Sequence, residues 1–147
     1  MFEFRGDLWD YHSKGHWVVI PTNGIITISG AIMGAGVARQ AADKYFDLPG
    51  LLATKIRIGG NKPYSFPKYH LFSFPTKNNP KNPSSLSLIG ESAELLVDLV
   101  DKEKTFPPIY LPRVGCGLGR LEWIRVKGVI GGILDDRFVV LDWVKEK

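Results

Sequence analysis

Leu111-Pro112-Arg113-Val114-Gly115-Cys116-Gly117-Leu118-Gly119-Arg120-Leu121-Glu122-Trp123 is the stretch whose reading decides the fold. It leads from a short apolar run, Ile109-Tyr110-Leu111, into a segment where Trp123, Val126, Ile130 and Ile133 recur at helical spacing. Between them lies the glycine loop Gly115-Cys116-Gly117-Leu118-Gly119. Glycines there let the backbone approach a ligand closely, and the helix that follows offers unpaired N–H groups and a partial positive charge to an anion. The same design stands earlier in the chain. Val18-Val19-Ile20 reads as a strand, Gly30-Ala31-Ile32-Met33-Gly34-Ala35-Gly36-Val37-Ala38 as a glycine-rich loop, and Ala38, Ala41, Ala42 and Tyr45 mark a helix opening near Gly36. Two such cradles facing one another at one sheet edge suit a diphosphate, although either loop also serves as a tight strand-to-helix turn. The first is not a Walker A loop, since no Gly-Lys-Ser/Thr follows, and Gly34-x-Gly36-x-x-Arg39 lacks the third glycine of a dinucleotide fingerprint.

The remaining elements extend this alternation. Tyr69 to Phe74 and Val139-Val140-Leu141 read as strands, and Phe2-Glu3-Phe4 as an added edge strand. Leu86, Ile89, Ala93, Leu96 and Val100 fall on one helical face, with Glu91, Glu94 and Asp98 turned to solvent. The helix opening near Leu121 is weakened by Gly128, Gly131 and Gly132, at about 1 kcal/mol each. Gly59 to Pro67 and Pro75 to Pro83 read as surface loops. Strands separated by helices require crossovers, so the class is α/β, with a parallel or mixed sheet covered on both faces. Ligands of such sheets sit outside the carboxyl ends of the strands, which directs attention to Pro21 to Gly36, Pro75 to Pro83 and Pro112 to Leu121.

At 147 residues the chain can bury roughly 68–70% of its unfolded surface, so one domain spanning 1–147 is expected. Nineteen Lys and Arg against 15 Asp and Glu give a net charge of +4, and 44% of residues are hydrophobic, which excludes disorder. A pI near 9.2 favours anionic partners without identifying one. Glu3, Asp7 and Asp10 stand where a signal peptide would be basic and then apolar, and no apolar run approaches 18 residues, so a cytoplasmic chain with no membrane partner is expected. A single cysteine and three histidines supply no zinc spacing, and no metal or cofactor is expected.

Read alone, the candidate side chains stay open. Asn23 ends a strand, as a turn former or as a hydrogen-bond partner for a ribose hydroxyl. Asp7 follows the first strand, as a surface carboxylate or an acceptor for an adenine amino group. Cys116 reads as a small buried filler, His12, His16 and His70 share no spacing, and Lys77 reads as a solvated loop lysine.

Together, Met33-Gly34-Ala35-Gly36-Val37-Ala38 after a strand ending in Asn23, and Leu111 to Trp123 near the C-terminus, resemble the macro domain. More narrowly, they resemble its branch containing the terminal ADP-ribose protein glycohydrolase and the DNA ADP-ribosyl glycohydrolase antitoxins. The resemblance implies a three-layer α/β/α macro domain with a mixed central sheet, and a site for ADP-ribose. It implies adenine at Asp7, the distal ribose at Asn23, one phosphate at Gly34, Ala35, Gly36 and Val37, the other at Gly115, Cys116, Gly117, Leu118 and Gly119, and further ligand contacts at Leu8, Met33 and Arg113. In this branch a lysine after the central strand attacks the anomeric carbon, and Phe74-Pro75-Thr76-Lys77 falls where it belongs, which makes Lys77 the catalytic candidate. The protein-directed enzyme carries an assisting Asp where this chain has Gly119, and the DNA-directed relatives have Gly. The segment from Asn23 to Met33 is longer than the family usually shows, and Ile20-Pro21-Thr22-Asn23 keeps only the second Asn of the family's strand-end motif. The implied function is hydrolysis of ADP-ribose from a modified target, a nucleic acid base in preference to protein, by a monomer. A non-catalytic ADP-ribose reader and an ADP-ribose 1''-phosphate phosphatase are the alternatives.

Overall fold

The computed structural model describes residues 1–79 and 81–142; Pro80, inside the second stretch read as a loop, and positions 143–147 lie outside them. The main strands are β1 (Phe2–Arg5), β2 (Val18–Asn23), β5 (Tyr64–Phe66), β6 (Leu71–Lys77), β7 (Ile109–Pro112) and β8 (Phe138–Asp142), with β3 (Ile26–Thr27) and β4 (Gly30–Ala31) forming a separate hairpin. The helices are α1 (Leu8–Ser13), α2 (Gly36–Lys44), α3 (Leu48–Gly59), α4 (Leu86–Glu103) and α5 (Trp123–Ile130). One sheet runs β1-β8-β7-β2-β6-β5, parallel throughout except where β5 pairs antiparallel with β6. It is the mixed sheet expected, and Phe2-Glu3-Phe4 forms its edge.

The apolar runs read as strands because successive residues enter different cores. Val18 and Ile20 of β2 join the side chains of α1, α2 and α3, whereas Val19 joins those of α4 and α5. In β8, Val139 and Leu141 face the first layer while Phe138 and Val140 face the second. Each such fully buried side chain contributes about 1.5–3 kcal/mol, so a one-residue slip would exchange every contact between layers. The helix over 86–100 forms as its spacing requires, with Ile89, Ala93, Leu96 and Val100 buried and Ser85 accepting from the Leu88 N–H at its start. Among the described residues no helix is long and apolar enough to cross a membrane.

Several boundaries differ from expectation. Gly59 to Pro67 is not all loop: Tyr64–Phe66 pairs with Leu71, Phe72 and Ser73 as an edge strand, where flanking prolines do no harm. Pro75 does not end its strand. β5 reaches only to Ser73, so β6 continues past it to Lys77 against β2 alone. Tyr69 belongs to a 3-10 turn at Pro67–Tyr69, so β6 opens at Leu71. Helices α1 and α3 and the hairpin were not anticipated. The helix placed near Leu121 opens at Trp123 and stops at Ile130, before the paired glycines.

Candidate functional site

Because β7, β2 and β6 are neighbours and parallel, their carboxyl ends lie on one edge of the sheet. The three loops singled out from sequence therefore open on that edge, and hydrogen bonds tie the second to the third and to the start of α4. The Ser84 N–H donates to the Gly119 carbonyl at 2.9 Å and the Ser85 N–H to the Thr76 carbonyl at 2.8 Å. Gly6, after β1, donates to the Asp142 carbonyl at 3.2 Å, so Asp7 is held at the same edge.

Lys77 gains its place from a bulge. Val18 to Thr22 pair one for one with Leu71 to Pro75, but Asn23 pairs with Lys77, leaving Thr76 as the extra residue. A bulge breaks the two-residue alternation and re-aims the side chain beyond it. Here α4 takes up the displaced backbone, since Ser92 Oγ donates to the Pro75 carbonyl at 2.8 Å beside the Ser85–Thr76 bond. The result sets the candidate nucleophile level with the candidate ribose contact on adjacent strands.

Asn23 is nine-tenths buried and already employed. Its Oδ1 accepts from the Ile25 N–H at 2.9 Å and its Nδ2 donates to the Ile32 carbonyl at 3.2 Å, rooting both ends of the β3–β4 segment. The lengthened stretch between Asn23 and Met33 is thus folded into a hairpin over α3, and Arg57 Nη2 donates to the Thr27 carbonyl to hold it there. One amide hydrogen and one lone pair of Asn23 remain for a ligand. A residue that sequence reading missed adjoins it: Asn61 Nδ2 donates to the Lys77 carbonyl at 3.3 Å and to Asn78 Oδ1 at 2.7 Å.

The first glycine loop fits an anion cradle. Gly34, Ala35 and Gly36 are exposed, nothing lies within 4 Å of where a β-carbon at Gly34 or Gly36 would stand, and Ala35 gives α2 no side-chain cap. Its first-turn N–H groups therefore face outward without side-chain competition. Met33 and Leu8 are buried in the core, 7% and 3% exposed, so only their backbones are available to a ligand. Asp7 caps α1 by accepting from the Trp9 N–H at 2.9 Å, which occupies one carboxylate oxygen.

The second loop is more constrained. Gly115 and Gly117 have φ of +78° and +68°, a region that glycine enters freely. Gly117 opens on free space, whereas a β-carbon at Gly115 would stand 2.5 Å from Ile89 Cδ1. Leu118 is exposed. Arg113 lies 3.7 Å from Asp142 Oδ2 and against the Trp123 ring, bridging the loop to β8. Cys116 is half-buried against the α4–α5 core and burial raises its thiol pKa, in keeping with a neutral filler. Beneath the loop Ser84 is buried, its hydroxyl without a hydrogen-bond partner among the described residues. A β-carbon at Gly119 would stand 2.4 Å from Ser84 Oγ and 3.2 Å from Ser84 Cβ. Gly119→Ala is therefore expected to lower stability by about 1–3 kcal/mol through overpacking, and Ser84→Gly to restore most of that loss in the double variant. Denaturant unfolding of the four proteins checks it, and additive effects would show that the two positions do not compete for space.

No protein-family model matches the chain. It is 28% identical over 145 residues to a DNA ADP-ribosyl glycohydrolase of Thermus aquaticus, an alignment covering 90% of this chain and 40% of that protein. The chain thus spans well under half the length of that relative. Among solved structures, the macrodomain of Thermus aquaticus DarG superposes with a TM-score of 0.76 and 26% identity, covering 100% of this chain and 99% of the other. The macrodomain of Mycobacterium tuberculosis DarG gives 0.80 at 21% identity, covering 99% of both. Thermosipho africanus DarTG in complex with ADP-ribose gives 0.71 at 22% identity, covering 90% of this chain and 39% of the other. With a mixed six-stranded sheet between two helical layers and these likenesses, the chain has the macrodomain fold and is similar in sequence to the macrodomain of a DNA ADP-ribosyl glycohydrolase.

Proposed function

We propose that the chain binds ADP-ribose at this edge and removes it from a modified nucleic acid base, with Lys77 as nucleophile. The observation that carries the reading is the register of β2 and β6, which sets Lys77 beside Asn23 at the edge where the glycine loops open. The diphosphate lies across the loops at Gly34 to Val37 and Gly115 to Gly119, and the adenosine end runs toward Asp7. Holding both phosphates fixes the distal ribose, and such fixing supplies much of the advantage of an enzymatic displacement.

The Lys77 amine attacks the anomeric carbon with its lone pair, and the bond from that carbon to the base nitrogen breaks, its electron pair leaving with the base. The base takes up a proton. The ribose ring opens to an imine on Lys77, water adds across the C=N bond, and expulsion of the amine returns free ADP-ribose. The net consumption is one water. Gly119 brings no carboxylic acid to this sequence, as in the DNA-directed branch that the chain resembles, and that likeness favours a nucleobase over a protein carboxylate as the leaving group. Residues 1–147 act in this reading as one domain, monomeric and cytoplasmic, without metal or cofactor. Binding without turnover is the second reading, and Gly119 is the observation that favours it.

The deciding experiment incubates the protein in parallel with ADP-ribosylated DNA, ADP-ribosylated protein and ADP-ribose 1''-phosphate, with products identified by mass spectrometry. Release of ADP-ribose and unmodified DNA is expected. Turnover of the 1''-phosphate alone would indicate the phosphatase, and none on any substrate the reader.

A further inference from the structure

The bulge sets Lys77 beside Asn23, and on the other flank of β6 the pairing with β5 reaches only as far as Ser73. Asn61 stands on that flank. It follows Gly60, whose φ of +89° turns the chain out of α3, and its carboxamide reaches the end of β6. Nδ2 supplies one proton to the Lys77 carbonyl and the other to Asn78 Oδ1. The same carboxamide lies against the turn after Asn23: a β-carbon at Gly24 would stand 2.7 Å from Asn61 Nδ2 and 2.8 Å from its Cγ. One side chain therefore touches the backbone of the candidate nucleophile, the residue after it, and the turn that carries the candidate ribose contact.

We propose that Asn61 is a positioning residue for Lys77, a double donor that grips the end of β6 while packing beside the Asn23–Gly24 turn, and so fixes the distance between the amine and the bound ribose. The proposal rests on Lys77 being the nucleophile. The hydrogen bonds of Asn61 go to the end of β6 and, among the described residues, none goes to either phosphate loop, so its removal should loosen the attack geometry without weakening the grip on the diphosphate. Displacements of about 1 Å at such a distance lower rates by up to roughly a hundredfold.

The test measures kcat, KM, ADP-ribose affinity and the rate of borohydride trapping for Asn61→Ala and Asn61→Asp, beside wild type and Lys77→Ala. The aspartate keeps the size of the side chain and removes both donated protons. Both Asn61 variants are expected to lose at least tenfold in kcat and in trapping rate, with ADP-ribose affinity and melting temperature close to wild type. Wild-type kcat in either variant, with Lys77→Ala inactive, would overturn the proposal and leave the nucleophile in place. A parallel fall of kcat, affinity and melting temperature would make Asn61 a structural residue only and also overturn it. An active Lys77→Ala would overturn the nucleophile reading, and this proposal with it.

Discussion

Lys77→Arg is expected to be as inactive as Lys77→Ala, each losing at least about a thousandfold in turnover of ADP-ribosylated DNA. Arginine keeps the positive charge and most of the length, but its delocalised guanidinium is a poor nucleophile. The pair of variants therefore separates two roles that lysine could fill at the end of β6. If Lys77 forms the imine, charge is irrelevant and both substitutions fail alike, while ADP-ribose itself still binds. If Lys77 only stabilises negative charge, arginine should recover much of what alanine loses. Borohydride added during turnover reduces an imine to a stable amine, so peptide mapping of the trapped wild-type protein should find ADP-ribose on Lys77. Retained activity in Lys77→Ala would refute the assignment.

Gly34→Val is expected to weaken ADP-ribose binding by about 2–3 kcal/mol, roughly 30- to 150-fold, with the melting temperature of the free protein unchanged. Two features of Gly34 make the substitution selective. Its backbone is outside the left-handed region and no heavy atom lies within 4 Å of the added β-carbon, so the folded protein accepts valine without strain. A bound phosphate seated on the uncapped N–H groups of α2 would then meet the isopropyl group directly. Gly117 is the poorer site for this experiment: its φ of +68° would charge valine about 1–2 kcal/mol before any ligand arrived. Isothermal calorimetry checks the result. Unchanged affinity in a folded Gly34→Val protein would mean that the first loop is merely a turn.

The fold was legible where side chains obey a single period. Ile89, Ala93, Leu96 and Val100 are all buried on one face of α4, and the strand runs alternate between two cores, so apolar spacing alone located them. α3 escaped because its apolar residues surround it: Leu52, Ala53 and Ile56 are buried, yet Leu51 and Ile58 are exposed, and Pro49 and Gly50 sit in its first turn. α1 is too short to show a period, and β5 is three residues between prolines. Pro75 misled in the other direction. It is a strand breaker by composition, but the side of β6 it reaches is vacant there, a fact of topology that no local window contains.

At the site, the two glycine loops were visible because glycine runs between a strand and a helix are rare enough to notice. Lys77 was not visible in the residues themselves and came from the family resemblance, since its position depends on a one-residue bulge against β2. Asn61 gave no signal at all. It lies in Gly60-Asn61-Lys62-Pro63, which has the composition of an ordinary turn, and its importance arises only when β6 and the Asn23–Gly24 turn are folded against it.

The contact between Ser84 and Gly119 also bears on how such sites diverge. An acid at position 119 carries a packing cost of its own, because the first atom of any side chain there meets Ser84. A lineage that gains such an acid either bears that cost or changes residue 84 beforehand, at a time when that change confers nothing on catalysis. Packing thus favours one order of the two steps, and the easy histories of the site are fewer than the sequences that would work in it.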